Sequence, residues 1–227
     1  LVDRDSETGT TLSKTLGCRV QYIEADLTVS KACKKAIEQT VSLFGGLDVL
    51  VNNAGFNDGL GLETPPEDFM RSVQNNLLHV YAMTHYALPL LRKGQGCLVN
   101  LGSKVSETGQ GHTSAYAAAK GAISALTREW AVALAPDKIR VNCVIPAECL
   151  TDQYEQFFLS QVEPEAAKKA ISKLVPFAQR LTTPQEIAQT IVFLASDRSS
   201  HTTGQLVFVD GGYTHFDRAV GHGHNKW

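Results

Sequence analysis

Tyr116 and Lys120 stand four residues apart, a spacing that puts both side chains on one face of a helix. A tyrosine hydroxyl is a poor acid or base near neutral pH, because its ordinary pKa lies near 10. An ammonium beside it favours the phenolate. The pair can then take a proton from an alcohol or return one to a carbonyl. Alone the spacing is a weak signal: six tyrosines and twelve lysines produce a chance Y-x3-K in roughly one chain of this length in three. Ser103 strengthens it. A hydroxyl at the end of an apolar strand, where ligands of parallel sheets bind, can orient a substrate oxygen toward the tyrosine; it can equally cap a loop. Asn76 lies 27 residues before Ser103, in a helical pattern that its propensity disfavours. It can bind water or a backbone carbonyl, or simply be exposed. Asn52-Asn53-Ala54-Gly55 follows an apolar run. Small residues there let a ligand approach the backbone, or make an ordinary turn.

Such residues need strands that end at one edge of a sheet. Apolar runs predict strands over 19–24, 47–51, 97–101, 139–145 and 206–209. Apolar residues at helical spacing predict helices over 30–44, 66–91, 114–134 and 184–195, with one or two shorter ones over 151–175 around Pro164. The 66–91 helix is expected to break near Pro89. Thr183 and Glu186 have the spacing of a capping box. No repeat or linker interrupts the pattern, so one domain is expected over 1–215. A polar tail follows over 216–227, where His222 and His224 can bind metal or simply fray. Alternating strands and helices imply an α/β fold, a parallel sheet covered on both faces with its ligand at the carboxyl ends of the strands.

Hydrophobic residues make up 43% of the 227 and charged residues 19%, which suits a buried core and argues against disorder. The net charge of -2, without a basic stripe, argues against a nucleic acid or an anionic membrane surface as partner. No apolar run reaches the length of a membrane span, and the first four residues lack the order of a secretory leader. Five scattered cysteines contain no C-x2-C pair, so no metal site is expected. They read as small core residues in a reducing, cytoplasmic compartment.

Taken together, N-N-A-G, Asn76, Ser103 and Tyr116-x3-Lys120 with S-x12-Y spacing resemble the classical short-chain dehydrogenase/reductase family. Pro146-Ala147-Glu148-Cys149-Leu150-Thr151, where the family usually reads P-G-x-x-x-T, and Val209-Asp210-Gly211-Gly212 extend the resemblance over essentially the whole chain. It implies a Rossmann-type doubly wound parallel sheet and hydride transfer between a nicotinamide cofactor and an alcohol or carbonyl. It implies that Asn76, Ser103, Tyr116 and Lys120 are catalytic, with Tyr116 and Lys120 also touching the cofactor. Asp3 matches the acidic residue that receives the ribose hydroxyls. A carboxylate there repels a 2′-phosphate, so NAD is expected over NADP, although Arg4 beside it can receive that phosphate. Asp26 and Leu27 match the adenine contact, and Asn53, Ala54 and Gly55 the cofactor-side loop. Pro146, Cys149 and Thr151 match the carboxamide end. The family also implies a homotetramer.

The family's opening strand and its glycine-rich turn, T-G-x-x-x-G-x-G, are not in the sequence. The chain starts within what would be the second strand, so about 30 further residues are expected before it. Without them two sheet edges would be exposed and a dinucleotide held weakly. Ala147 for the usual glycine is a mild departure. Several segments, among them Gly102-Ser103-Lys104, Gly109-Gln110-Gly111-His112 and Ile145-Pro146-Ala147-Glu148, resemble the L-fucose dehydrogenase branch, which oxidises aldoses at the anomeric carbon. Lys104, Gln110, His112 and Glu148 then become candidates for binding sugar hydroxyls. Lys104 and Glu148 can equally form an ordinary ion pair, and His112 can be a surface residue. The competing readings are a ketoacyl, steroid or other carbonyl reductase, and a non-catalytic scaffold. The intact register of Ser103, Tyr116 and Lys120 argues against the last.

Overall fold

Val2–Asp3 (β1) and Ile23–Glu24 (β2) pair in parallel as one short sheet. Val49–Asn52 (β3), Cys97–Leu101 (β4), Arg140–Pro146 (β5) and Leu206–Val209 (β6) form a second, all-parallel sheet in the order β3-β4-β5-β6. This is a computed structural model, and it describes residues 1–216. The tail with His222 and His224 lies outside the described residues.

The helices are Ser6–Leu16 (α1), Ser30–Phe44 (α2), Pro66–Val73 (α3), His79–Gly94 (α4), Ser114–Ala133 (α5), Asp152–Leu159 (α6), Pro164–Lys173 (α7) and Pro184–Ala195 (α8). Side chains alternate across a strand, and the larger sheet uses both faces. Leu98 and Val141 point into a core with Ala87 and Leu91 of α4 and Ala131 of α5. Val99, Leu101 and Val144 point the other way, onto Ile187 and Leu194 of α8. Leu98, Val99 and Val141 have no exposed surface, as expected of strands sandwiched between helices.

Two expectations need correction. The helix begun at Pro66 does not break at Pro89, which lies inside α4. Proline removes one backbone donor, but the buried Ala87 and Leu91 on either side keep the helix packed. The distortion lies earlier, where residues 74–78 form a π-helical turn between α3 and α4. Second, the strand expected over 19–24 shrinks to two residues. The break between β1–β2 and β3–β6, which share no strand pairing, agrees with the two exposed edges expected without the family's opening strand. The sequence reading also passed over α1, which Asp5 caps by accepting from the Thr8 N–H at 3.0 Å. The capping box at Thr183 and Glu186 forms as expected.

Candidate active site

The carboxyl ends of β3, β4 and β5 meet the π turn and the first turns of α5. A π turn carries one extra residue and leaves helix carbonyls without their usual partners. Asn76 lies inside it, fully buried, and donates from Nδ2 to the Ser72 carbonyl at 3.1 Å. Its Oδ1 accepts from the Phe56 N–H at 2.9 Å. One turn on, His79 places Nε2 at 2.9 Å from the Ala54 carbonyl. Burial pushes the His79 pKa down, so the neutral ring donates through Nε2–H. Two side chains thus clamp the loop that follows β3. Gly55 in that loop has φ +147°, and a Cβ there would lie 3.1 Å from Asn76 Oδ1 and 3.6 Å from Lys120 Nζ. Only glycine brings this backbone against the lysine without strain.

Lys120 is 2% exposed. Its Nζ donates to the Leu101 carbonyl at the end of β4 at 2.8 Å, and lies 5.5 Å from the centroid of the Tyr116 ring. Burial lowers its pKa to about 8, with the nearby Cys143 thiol opposing slightly. Burial raises the Tyr116 pKa, and a hydrogen bond with Ser103 pulls it back. The Ser103 Oγ also meets the Val105 N–H at 3.5 Å. Serine, tyrosine and lysine therefore adjoin at the end of β4.

A buried polar ladder holds these strand ends in register. Asn52 on β3 donates to Thr84 of α4 at 3.2 Å and to Asn100 of β4 at 3.0 Å. Asn100 donates to Thr127 of α5 at 3.0 Å. Thr127 sits seven residues beyond Lys120, so the ladder sets the rotation of the helix that carries Tyr116 and Lys120.

Beside the clamped loop lies a cavity of about 310 Å³, lined by Asp3, Arg4, Asp26, Leu27 and residues 53–56. Asp26 Oδ1 accepts from Thr28 N and Oγ1 at 3.0 and 2.7 Å, which holds its carboxyl below the usual range. Two carboxylates that accept, set against a glycine-bearing loop free to approach a ligand, suit the hydroxyl and amine donors of a nucleoside. The residues present therefore fit a dinucleotide cofactor. Pro146 ends β5, Cys149 bridges to Thr182, and Thr151 caps α6 by accepting from Tyr154 N at 3.4 Å.

Lys104 and Glu148, named separately as candidates, form one buried ion pair, at 8% and 5% exposure. Tyr154 donates to the other Glu148 oxygen. Gln110 and His112 instead lie exposed on the turn between Ser103 and Tyr116, with His112 at φ +53°. Sequence reasoning missed His79 and Tyr154. His79 is one helical turn beyond Asn76 and Tyr154 three residues beyond Thr151, spacings that signal a shared face once the neighbours are taken as site candidates. Among the described residues no cluster of His, Cys, Asp or Glu is arranged for a metal, and no helix is long and apolar enough to cross a membrane.

A doubly covered parallel sheet, with a Ser–Tyr–Lys group at its carboxyl edge and a nucleoside-sized cavity alongside, defines an oxidoreductase of the Rossmann type. The family model described as enoyl-(acyl carrier protein) reductase matches residues 1–214. The chain is 34% identical to the L-fucose dehydrogenase of Mus musculus over 212 residues, covering 92% of this chain and 77% of the relative. It is 37% identical to the 3-oxoacyl-[acyl-carrier-protein] reductase FabG of Thermotoga maritima over 181 residues, 79% of this chain and 71% of that one. The crystal structure of the Cj0485 dehydrogenase superposes with TM-score 0.92 at 43% identity, covering 96% of this chain and 85% of that one. The chain belongs to the short-chain dehydrogenase/reductase family, and is an NAD(P)-dependent oxidoreductase acting on a small molecule.

Proposed function

We propose that the protein oxidises a free aldose, L-fucose or a close relative, at its anomeric carbon to the lactone, with NAD as acceptor. The observation that carries the reading is the polar turn between Ser103 and Tyr116, which exposes Gln110 and His112. A steroid or acyl site would be lined there mostly by apolar side chains. The resemblance to L-fucose dehydrogenase over most of the chain supports it.

In this reading the anomeric hydroxyl lies between Ser103 and Tyr116. Ser103 donates to the substrate oxygen and fixes its angle. Tyr116, as phenolate, takes the hydroxyl proton and becomes the neutral phenol, and the buried Lys120 ammonium favours the phenolate form that does so. Asn76 and His79 hold the loop that backs Lys120. Asp3, with Asp26 and Leu27, would hold the adenosine end of the cofactor. The backbone of Asn53, Ala54 and Gly55 would line its middle, and Pro146, Cys149 and Thr151 its carboxamide end. When bound, that cofactor accepts the hydride from the substrate carbon. Gln110 and His112, on the open turn, would reach hydroxyls distant from the reacting carbon. The five free cysteines support a reducing, cytoplasmic setting. The family resemblance is what supports a homotetramer, which light scattering would test.

The deciding experiment follows the cofactor in both directions over a panel of substrates, its reduction with sugars and the oxidation of its reduced form with carbonyl compounds. Turnover of L-fucose, L-galactose and D-arabinose, with none of steroids or β-ketoacyl thioesters, is expected. The reverse pattern would favour the second reading, a ketoacyl reductase, for which the 37% identity to the Thermotoga enzyme speaks.

A further inference from the structure

Two donors from different segments of the chain converge on one buried carboxylate. Glu148 follows β5, and its backbone is fixed where the Thr182 N–H donates to its carbonyl at 2.9 Å. Its Oε1 accepts from Lys104, the residue next to Ser103. Its Oε2 accepts from Tyr154, in the first turn of α6. The Lys104 ammonium also lies 4.5 Å from the centre of the Tyr213 ring, beyond β6. A charged pair this buried persists only when each polar atom is satisfied, because water is not there to replace a lost partner. Glu148 has two donors on two oxygens, and each donor belongs to a different segment.

The geometry of α6 shows what the arrangement holds. Thr151 caps the helix, and Gln153 donates to the Asn57 carbonyl at 3.1 Å, tying α6 to the loop beyond Gly55. Tyr154 packs against Phe157 and Phe158 at ring separations of 5.7 and 5.1 Å. The helix therefore links the loop after β3 to the carboxylate after β5. Burial and the adjacent carboxylate raise the Tyr154 pKa, so its hydroxyl stays protonated and donates at any working pH.

We infer that Tyr154 is a positioning residue: through Glu148 and Lys104 its hydroxyl joins helix α6 to the strand end that bears Ser103, and so holds the substrate side of the site closed. Tyr154 and Glu148 do not meet the reacting atoms. They set where the covering helix sits relative to the serine. The inference rests on the site assignment proposed above but not on the substrate being a sugar.

Tyr154→Phe keeps the aromatic packing and removes only the hydroxyl. It is expected to raise KM roughly 10-fold while kcat stays within about 2-fold, the magnitude of one hydrogen bond to a charged group. Amide hydrogen exchange over 152–159 should quicken by a similar factor, with α8 as an unchanged internal reference. Glu148→Gln should quicken the same amides. The double variant should show less than the product of the two effects, since both break one link. Unaltered exchange over 152–159 in Tyr154→Phe would overturn the inference. So would a fall in kcat at constant KM, or faster exchange in every helix alike, which would mark a general structural role. Exchange needs no substrate. If the wild type turns over no aldose, the proposed function fails and the exchange result still decides the role of Tyr154.

Discussion

The two sheets carry different halves of the site and are built by different means. At the ends of β3–β5, positions are set by buried side-chain bonds: the Asn52–Asn100–Thr127 ladder, Lys120 on the Leu101 carbonyl, and Asn76 and His79 on the loop after β3. The β1–β2 pair is two residues long on each strand and rests on a small cluster around Ile23, Ala25 and Ala36. Asp3 is exposed there, and its backbone carbonyl accepts from Tyr22 Oη at 2.8 Å. One region is fixed by desolvated polar contacts, where any change costs structure or chemistry. The other presents charges to solvent, where a change alters what is bound and little else.

Four substitutions test this contrast, from the largest expected effect to the smallest. Tyr116→Phe should cut turnover by on the order of 10² to 10⁴-fold with an unchanged fold. A variant with near wild-type rate and normal circular dichroism would remove Tyr116 from the chemistry.

Lys120→Met should lose activity by roughly 10²-fold or more, the scale of a group that tunes an acid or base, yet gain stability. The folded pKa of about 8 lies below the ordinary value for lysine. The unfolded chain therefore binds more protons between pH 8 and 10.5, and stability rises with pH across that window. Below pH 8 the charged lysine opposes folding, and methionine removes that opposition. Melting temperatures at pH 6.5 and pH 10 should show the variant's advantage at the lower pH and its loss at the higher. A variant that melts lower at pH 6.5 would contradict the burial argument.

Asn52→Ala should lower stability by about 1–3 kcal/mol, because Asn100 and Thr84 lose a buried partner. Urea unfolding measures it. A cost of a few tenths, as at a surface site, would show that the ladder does not govern the register.

Asp3→Ala should leave stability nearly unchanged and raise the kcat/KM ratio of NADP to NAD about 10-fold, since a carboxylate facing a 2′-phosphate is removed. Wild-type preference for NADP would mean that Arg4 governs the cavity instead.

Most of the frame, and the reacting group proposed for it, could be read from the sequence alone. Apolar runs and helical apolar spacing located β4, β6, α2, α5 and α8 nearly to the residue, because a strand covered on both faces is apolar throughout and a packed helix is apolar along one face. Ser103, Tyr116 and Lys120 were legible as candidates because the chemistry proposed for them demands fixed types at fixed spacing on one strand end and one helix face. Only the tertiary structure decided the rest. Nothing local marks residues 74–78 as a π turn, since the extra residue is stabilised by Asn76 and His79 reaching a loop some 20 positions earlier. Lys104 and Glu148 read as two sugar contacts or one ion pair until the loops after β4 and β5 were brought together. Tyr154 gained its role from the same event. Long-range contacts of this kind depend on which loops the parallel sheet sets side by side, and side-chain periodicity records only which face a residue occupies.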